Sequence, residues 1–407
     1  MKEEIIKKVD ELKNDIVESS KKFISIDSVN PRTGGPGEKE AAEWLESLIK
    51  NWKFDEIKKY NAPDDAVEYG YRPNIVAIYK GTDPKRTVWF VTHMDKVPAG
   101  ALDLWISEPF DPVERDGKIY GRGSEDNGAS LISTLYAIKS IMDLGIRPKN
   151  NIALAFVSDE ETGSDFGIKY LLQEDAFDEN DWFYVPDSGS SDGSFIEVAE
   201  KSIMWLKITT YGKQGHASMP NLSTNAHRAG MDFALAADNY VRINYNLKDE
   251  LFNYPYSSFE PTKKVKNVDN INTIPGTDII YFDGRILPNY DVDEIITGLQ
   301  NLSKEYEKKW NVKIKVEGEH LEEAKKPTSK DHPSVRILKD CLEELRDIKV
   351  KVGGIGGGTC AAIVRGAGFP AVVWATLDET AHQPNEYVKI DNLIKDTQVF
   401  AYLMSKL

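Results

Sequence analysis

Six histidines occur in 407 residues: His93, His216, His227, His320, His332 and His382. Chemistry that needs imidazole must draw on this short set. His93 opens the triplet His93-Met94-Asp95 at the end of the apolar run TVWFVTH. Residues i and i+2 of an extended chain point the same way. Asp95 can therefore reach the ring and fix its tautomer, as carboxylates behind metal-bound histidines do. The plainer alternative is a strand-end histidine beside a surface aspartate. GRGSEDNGAS sets Asp126 among Gly121, Gly123 and Gly128, just ahead of a helix. The glycines allow a tight path that presents one carboxylate, and an ordinary helix cap is the alternative. SDEETGS puts three acids after another apolar run. Carboxylates at the edge of a dry core repel one another, and a metal ion would relieve that. Glu160 and Glu161 point in different directions, so one can bind metal while the other handles protons. Asp159 reads as a solvated member of the same loop. Asp187 follows WFYV, where Pro-Asp-Ser-Gly would also make a turn, and Asp192 reads as a turn residue. His382 follows AVVWAT and is flanked by Glu379 and Glu386.

Each signal is modest alone. Together, four or five strand ends carry a His, Asp or Glu at one edge of the expected sheet. In open α/β sheets functional groups gather at the carboxyl ends of strands. Two imidazoles with three carboxylates form the mixed nitrogen and oxygen set that suits Zn²⁺, Co²⁺ or Mn²⁺. One bridging carboxylate would hold two ions about 3.5–4 Å apart.

The elements that must position these residues follow from the apolar pattern. NIVAIYK, TVWFVTH and NIALAFVSD are almost continuous apolar runs, as expected of strands buried on both faces. A helix is predicted between the second and third, with Gly145 at its C-terminal cap. Further helices are predicted in the opening segment and from about Gly37. From about Lys201 the pattern changes. SIMWLKITTYG alternates like a half-exposed strand; a helix, a strand, a helix and the strand NVKIKVEGEH follow. This predicts a small α+β domain over 201–323, inserted into a catalytic α/β domain made of 1–200 and 324–407. The latter should have a mixed, mostly parallel sheet with helices on both faces.

The formal net charge is −15, which argues against nucleic acid or an anionic membrane as partner, because both need clustered Lys and Arg. The amphipathic N-terminal segment lacks the apolar core of a signal peptide. Two cysteines, Cys341 and Cys360, suggest a reducing compartment rather than a disulfide framework, so a cytoplasmic location is expected.

The motifs HMD, GRGSEDNGA, DEETGS, VPDSG and AHQPNEYV, in this order, resemble the co-catalytic metallopeptidases and deacylases. That family includes carnosinase-like dipeptidases, tripeptidase, carboxypeptidase G, aminoacylase, acetylornithine deacetylase and succinyl-diaminopimelate desuccinylase. The resemblance covers nearly the whole chain. It implies that His93 and Asp187 bind one metal ion, that Glu161 and His382 bind the other, and that Asp126 bridges them. It further implies that Asp95 orients His93 and that Glu160 is the general base that activates water. The inserted domain resembles the family's ferredoxin-like lid and dimerisation domain. There His216 matches a histidine that reaches across a homodimer to the oxyanion. Asn272, Arg285, Gly358 and Thr359 match substrate contacts; an ordinary ion pair is the alternative for Arg285. Cys360, Ala361 and Ala362 depart from the family pattern, which commonly has a polar residue and an arginine there. His227, His320 and His332 match nothing and read as surface residues. The implied substrate is a dipeptide or short peptide, since Asp187 is the residue of the peptidase branches. An N-acyl amino acid is the alternative, and a non-catalytic metal-binding homologue a third.

Overall fold

A computed structural model describes residues 1–407. The chain divides into two compact units: Met1–Val198 with Thr328–Val352 and Thr359–Leu407, and Ala199–Pro327 with Gly353–Gly358.

The first unit is built on a mixed sheet. Its central strands, Asn151–Val157, Thr87–His93, Trp182–Val185 and Ala371–Val373, lie side by side and are all parallel. Tyr71–Tyr79 and Glu56–Pro63 extend one side antiparallel; the second of these strands carries no apolar run and was not foreseen. Both faces are covered, which is why the sequence runs are continuous rather than alternating. Trp89, Val91, Ala153, Ala155, Phe183 and Val185 face one way, against Ile168, Leu171 and Val364. The alternate residues Phe90 and Tyr184 stack on the other face, where Phe400 of the last helix meets Phe90 edge-on. The helices Ser130–Asp143 and Ile390–Lys406 cover that face. The opening segment forms two helices, Lys2–Glu11 and Lys13–Ser25, separated at Leu12.

Register sets what the strand ends can do. His93 pairs with Val157 and Val88 with Trp182. The residues that follow each strand therefore emerge at one edge of the sheet. At the opposite end, buried Asp181 accepts hydrogen bonds from Thr87 N and Trp89 Nε1, both at 2.7 Å.

The second unit is a four-stranded antiparallel sheet in the order Ser258–Lys264, Thr277–Ile286, Ser202–Tyr211, Lys313–Glu322. Met204, Leu206 and Ile208 point inward, to Phe233 and Ala237 of the helix Ala226–Asn244 and Ile295 and Leu299 of the helix Val292–Trp310. Burying each such Leu, Ile or Phe contributes about 1.5–3 kcal/mol. Trp205, between them, is exposed, as the period of two requires. Asn225 and Asp291 cap the two helices with side-chain acceptors.

Candidate metal centre

Five side chains from five separate segments converge in the first unit. His93 is buried, and its Nε2 lies 2.9 Å from Asp126 Oδ1 and 3.5 Å from Asp187 Oδ1. His382 Nε2 lies 3.1 Å from Asp126 Oδ2 and 3.1 Å from Glu161 Oε2. The two oxygens of Asp126 thus serve two different histidines, each paired with a second carboxylate. Donors at about 2.0–2.2 Å from a tetrahedral ion stand about 3.3–3.6 Å apart. The spacings here are close to that. Glu161 Oε1 is buried without a hydrogen-bond partner, a need that a cation would meet. The donor set therefore fits two divalent ions. Glu160 stands beside the first pair: donor atoms of His93, Glu160 and Asp187 all lie within 4.8 Å of one another.

The electrostatics tell the same story. His93 is wholly buried, which by itself lowers its proton affinity, yet hydrogen bonds to Asp126 and Asp187 carry it well above the ordinary histidine range. Hydrogen bonds to Asp126 and Glu161 push His382 up to about 10. Burial would raise Asp126, but His382 and His93 outweigh it and hold this carboxyl well down. Burial, followed by the charge of Asp126, lifts Glu161 to about 7. Burial and the charge of Asp187 lift Glu160 well above the usual carboxylate range. So many acids at one spot call for positive charge.

Backbone and buried side chains hold the centre in place. His93 Nδ1 lies 3.0 Å from the main-chain oxygen of Asp95, while the Asp95 carboxylate is 3.5 Å away. That carboxylate chiefly accepts from Glu160 N at 3.0 Å, Glu161 N at 3.1 Å and Asn30 Nδ2 at 2.8 Å. It therefore fixes the acidic loop as well as facing the ring. Asn127 Nδ2 donates to Asp187 Oδ1 at 2.7 Å, and the peptide bond between Asp126 and Asn127 is cis. Asp159 is not a solvated loop residue. It is fully buried, accepting from Asn30 Nδ2, the Thr162 hydroxyl and Phe166 N. Arg72 Nη1 stands 3.7 Å from it. Arg72 and Asn30 come from distant segments, so a local reading of SDEETGS could not reveal them. Arg72 is fully buried and forks onto Glu38 through Nε and Nη2. Asp192 does close a turn, accepting from Ser194 N.

Two further acids were seen in the motifs but given no part. Glu125 accepts from the main chain of Asp378, Thr380 and Ala381. Glu386 accepts from Arg122 Nη1 and from the main chain of Gly123, Glu125 and Asp126. Each partner lies more than 250 residues away in the chain. Cys360 and Ala361 pack in the core beneath the sheet, and Thr359 caps their helix through Ala361 N. Burial and the charge of Glu160 push the Cys360 thiol well up.

The second unit holds its own group. His216 pairs with Thr273 in a two-residue ladder, and Ala217 N donates to Asn272 O at 2.9 Å. His216 and Asn272 are both exposed. Arg285 forks onto Asp283 at 2.7 and 3.0 Å and reaches Gly356 O at 3.0 Å. Gly358 lies against Glu322. His227 is bonded to buried Asp278 at 2.9 Å; in the first unit, His332 caps the helix Pro333–Arg346.

The family model for peptidase family M20/M25/M40 matches residues 89–406, which include the whole centre. The chain belongs to that family. An uncharacterized metallohydrolase of Methanocaldococcus jannaschii is 39% identical over 409 residues, covering 95% of this chain and 98% of the relative. A succinyl-diaminopimelate desuccinylase of Buchnera aphidicola is 27% identical, covering 96% and 98%. Among solved structures, the aminopeptidase PepT of Bacillus cereus has the same fold, with a TM-score of 0.73, 19% identity and coverage of 97% and 98%. The protein is thus an M20-family metallohydrolase acting on C–N bonds, with the α/β fold and second α+β unit of that family. No helix is long and apolar enough to cross a membrane.

Proposed function

We propose that this M20 protein hydrolyses an amide or peptide bond in a small substrate with a free carboxylate, short peptides being the first expectation. The observation that carries the reading is the division of Asp126 between two histidine–carboxylate pairs. In this reading His93 and Asp187 hold one ion, Glu161 and His382 the other, and Asp126 lies between. Bound there, two divalent ions, zinc by expectation and cobalt or manganese as alternatives, would polarise the scissile carbonyl and favour ionisation of the attacking water. Glu160 takes the water's proton on its carboxylate and delivers it to the leaving amine. Its burial supports that role, because a carboxyl with raised proton affinity can hold a proton near neutral pH. Asp95 keeps His93 and the Glu160–Glu161 loop in place.

The remaining roles fall to residues of the second unit and to Thr359 of the first. His216 donates to the oxyanion in the site of a second copy, and Asn272, Arg285, Gly358 and Thr359 meet the substrate's far end. Arg285 would then exchange Asp283 for a substrate carboxylate. Exposed Met231, Leu235 and Ile243 along the helix Ala226–Asn244 support a homodimer through this unit. Both cysteines are buried and free, in keeping with a reducing, cytoplasmic location.

A second reading is deacylation of an N-acyl amino acid, favoured by the likeness to the desuccinylase. Zinc- or cobalt-loaded protein screened against dipeptides, N-acetyl amino acids and N-succinyl-diaminopimelate separates the two. Dipeptide hydrolysis is expected. Amine released only from the acylated substrates would overturn the peptide reading.

A further inference from the structure

Glu125 and Glu386 sit on the two loops that carry Asp126 and His382, and each grips the other's loop. Glu125 is 4% exposed. Its carboxylate accepts from Asp378 N at 2.5 Å, Thr380 N, the Thr380 hydroxyl at 2.9 Å and Ala381 N at 3.0 Å. These donors lead directly to His382. Glu386 is 0% exposed. It accepts from Arg122 Nη1 at 2.6 Å, Gly123 N at 3.0 Å, Glu125 N at 2.8 Å and Asp126 N at 3.0 Å. These donors lead directly to Asp126. Neither carboxylate makes a bond to His93, Asp187 or Glu161 among these contacts.

His93 and Asp187 have other supports. His93 ends a central strand and bonds to the main chain of Asp95; Asp187 is held by Asn127. His382 has no strand under it. It sits exposed, at φ +62°, in a loop whose backbone hydrogens converge on Glu125. We propose that Glu125 and Glu386 are positioning residues forming a reciprocal clasp between the Asp126 and His382 loops. Glu125 acts on one metal ion alone, through His382, and Glu386 acts on both, through Asp126. The inference rests on the two-ion reading above.

The two carboxylates therefore leave different signatures. Glu125→Gln keeps one acceptor oxygen but turns an NH₂ toward backbone donors, which frees the His382 loop. Zn²⁺ binding to the full chain is followed by calorimetry and by metal analysis after dialysis, with His382→Ala marking which step belongs to that histidine. That step should weaken about 10–100-fold in Glu125→Gln, the usual effect of losing an outer partner, while the other changes by less than about threefold. In Glu386→Gln both steps should weaken. Equal weakening of both steps in Glu125→Gln, or of neither, overturns the clasp. Wild-type protein that binds a single ion overturns the two-ion reading instead. Melting in chelator reports whether each variant folds. Thr380→Ala removes one donor and no buried charge, and should show the Glu125 signature in weaker form if a carboxamide variant does not fold.

Discussion

Loading the centre with metal should expel protons, and the number is set by the side chains already described. At pH 7 His382, raised to about 10, carries its proton in protein stripped of divalent ions. So does His93, which lies well above its ordinary range. Glu161, near 7, is about half protonated. A metal ligand must be a neutral imidazole or an ionised carboxylate, so one proton leaves each histidine and about half a proton leaves Glu161, about two to three in all. The sign follows. Proton and metal compete for the same atoms, so apparent affinity falls as pH falls. For the pair of ions together it should change about a hundredfold or more per pH unit near neutrality, tenfold for each proton displaced. Glu160 is not a ligand in this reading, but two nearby cations favour its ionised form, so any proton it holds in the stripped protein adds to this count. The assay is a calorimetric Zn²⁺ titration at pH 7 in buffers of different ionisation heat; the dependence of the measured heat on the buffer gives the proton count. A release below one proton for the filled centre would refute the assignment of His93 and His382 as ligands.

Other outcomes test separate parts of the structure. Glu160→Gln should lower turnover about 10²–10⁴-fold while dialysed protein keeps its full metal content; unchanged turnover would remove Glu160 from the mechanism. Arg72→Met breaks the buried pair with Glu38 and should destabilise the protein by about 3–5 kcal/mol in urea unfolding. Adding Glu38→Gln to that variant should recover part of the loss. Gly123→Ala places a methyl 2.4 Å from Lys96 Cε at φ +80°. Lys96 cannot withdraw, since its Nζ donates to the carbonyls of Phe23, Ile24 and Ile26. A loss of about 1–3 kcal/mol is expected, with weaker Zn²⁺ binding through the displaced Asp126 loop.

Much of this was legible in the sequence because strand ends announce themselves. A continuous apolar run followed by His, Asp or Glu marks both the buried strand and the edge where its last residue emerges. Residues that work through tertiary partners were not legible. Asp159 and Glu160 are adjacent, yet one is locked beneath Arg72 and the other faces the centre; nothing in SDEETGS separates them. Glu125 and Glu386 carry no role in the sequence because most of their donors are backbone groups of remote loops, and backbone donors leave no trace in residue identity. The strand Glu56–Pro63 was missed for a simpler reason. It lies at the sheet's edge and is mostly exposed, so it lacks the apolar run by which the inner strands were found.

The two-sided burial of the central strands bears on how the chain finds its alignment. A strand with one wet face cannot slip by one residue without turning its apolar side chains outward. Thr87–His93 has no such guard, because Val88, Phe90, Trp89 and Val91 are all buried. A slipped strand would still be greasy on both sides, yet it would turn His93 to the wrong face. Asp181 supplies the missing information. It binds Thr87 N and Trp89 Nε1 together, and only one alignment satisfies both. A carboxylate with no part in the chemistry, at the far end of the sheet, thus acts as the zero mark from which the position of His93 is measured.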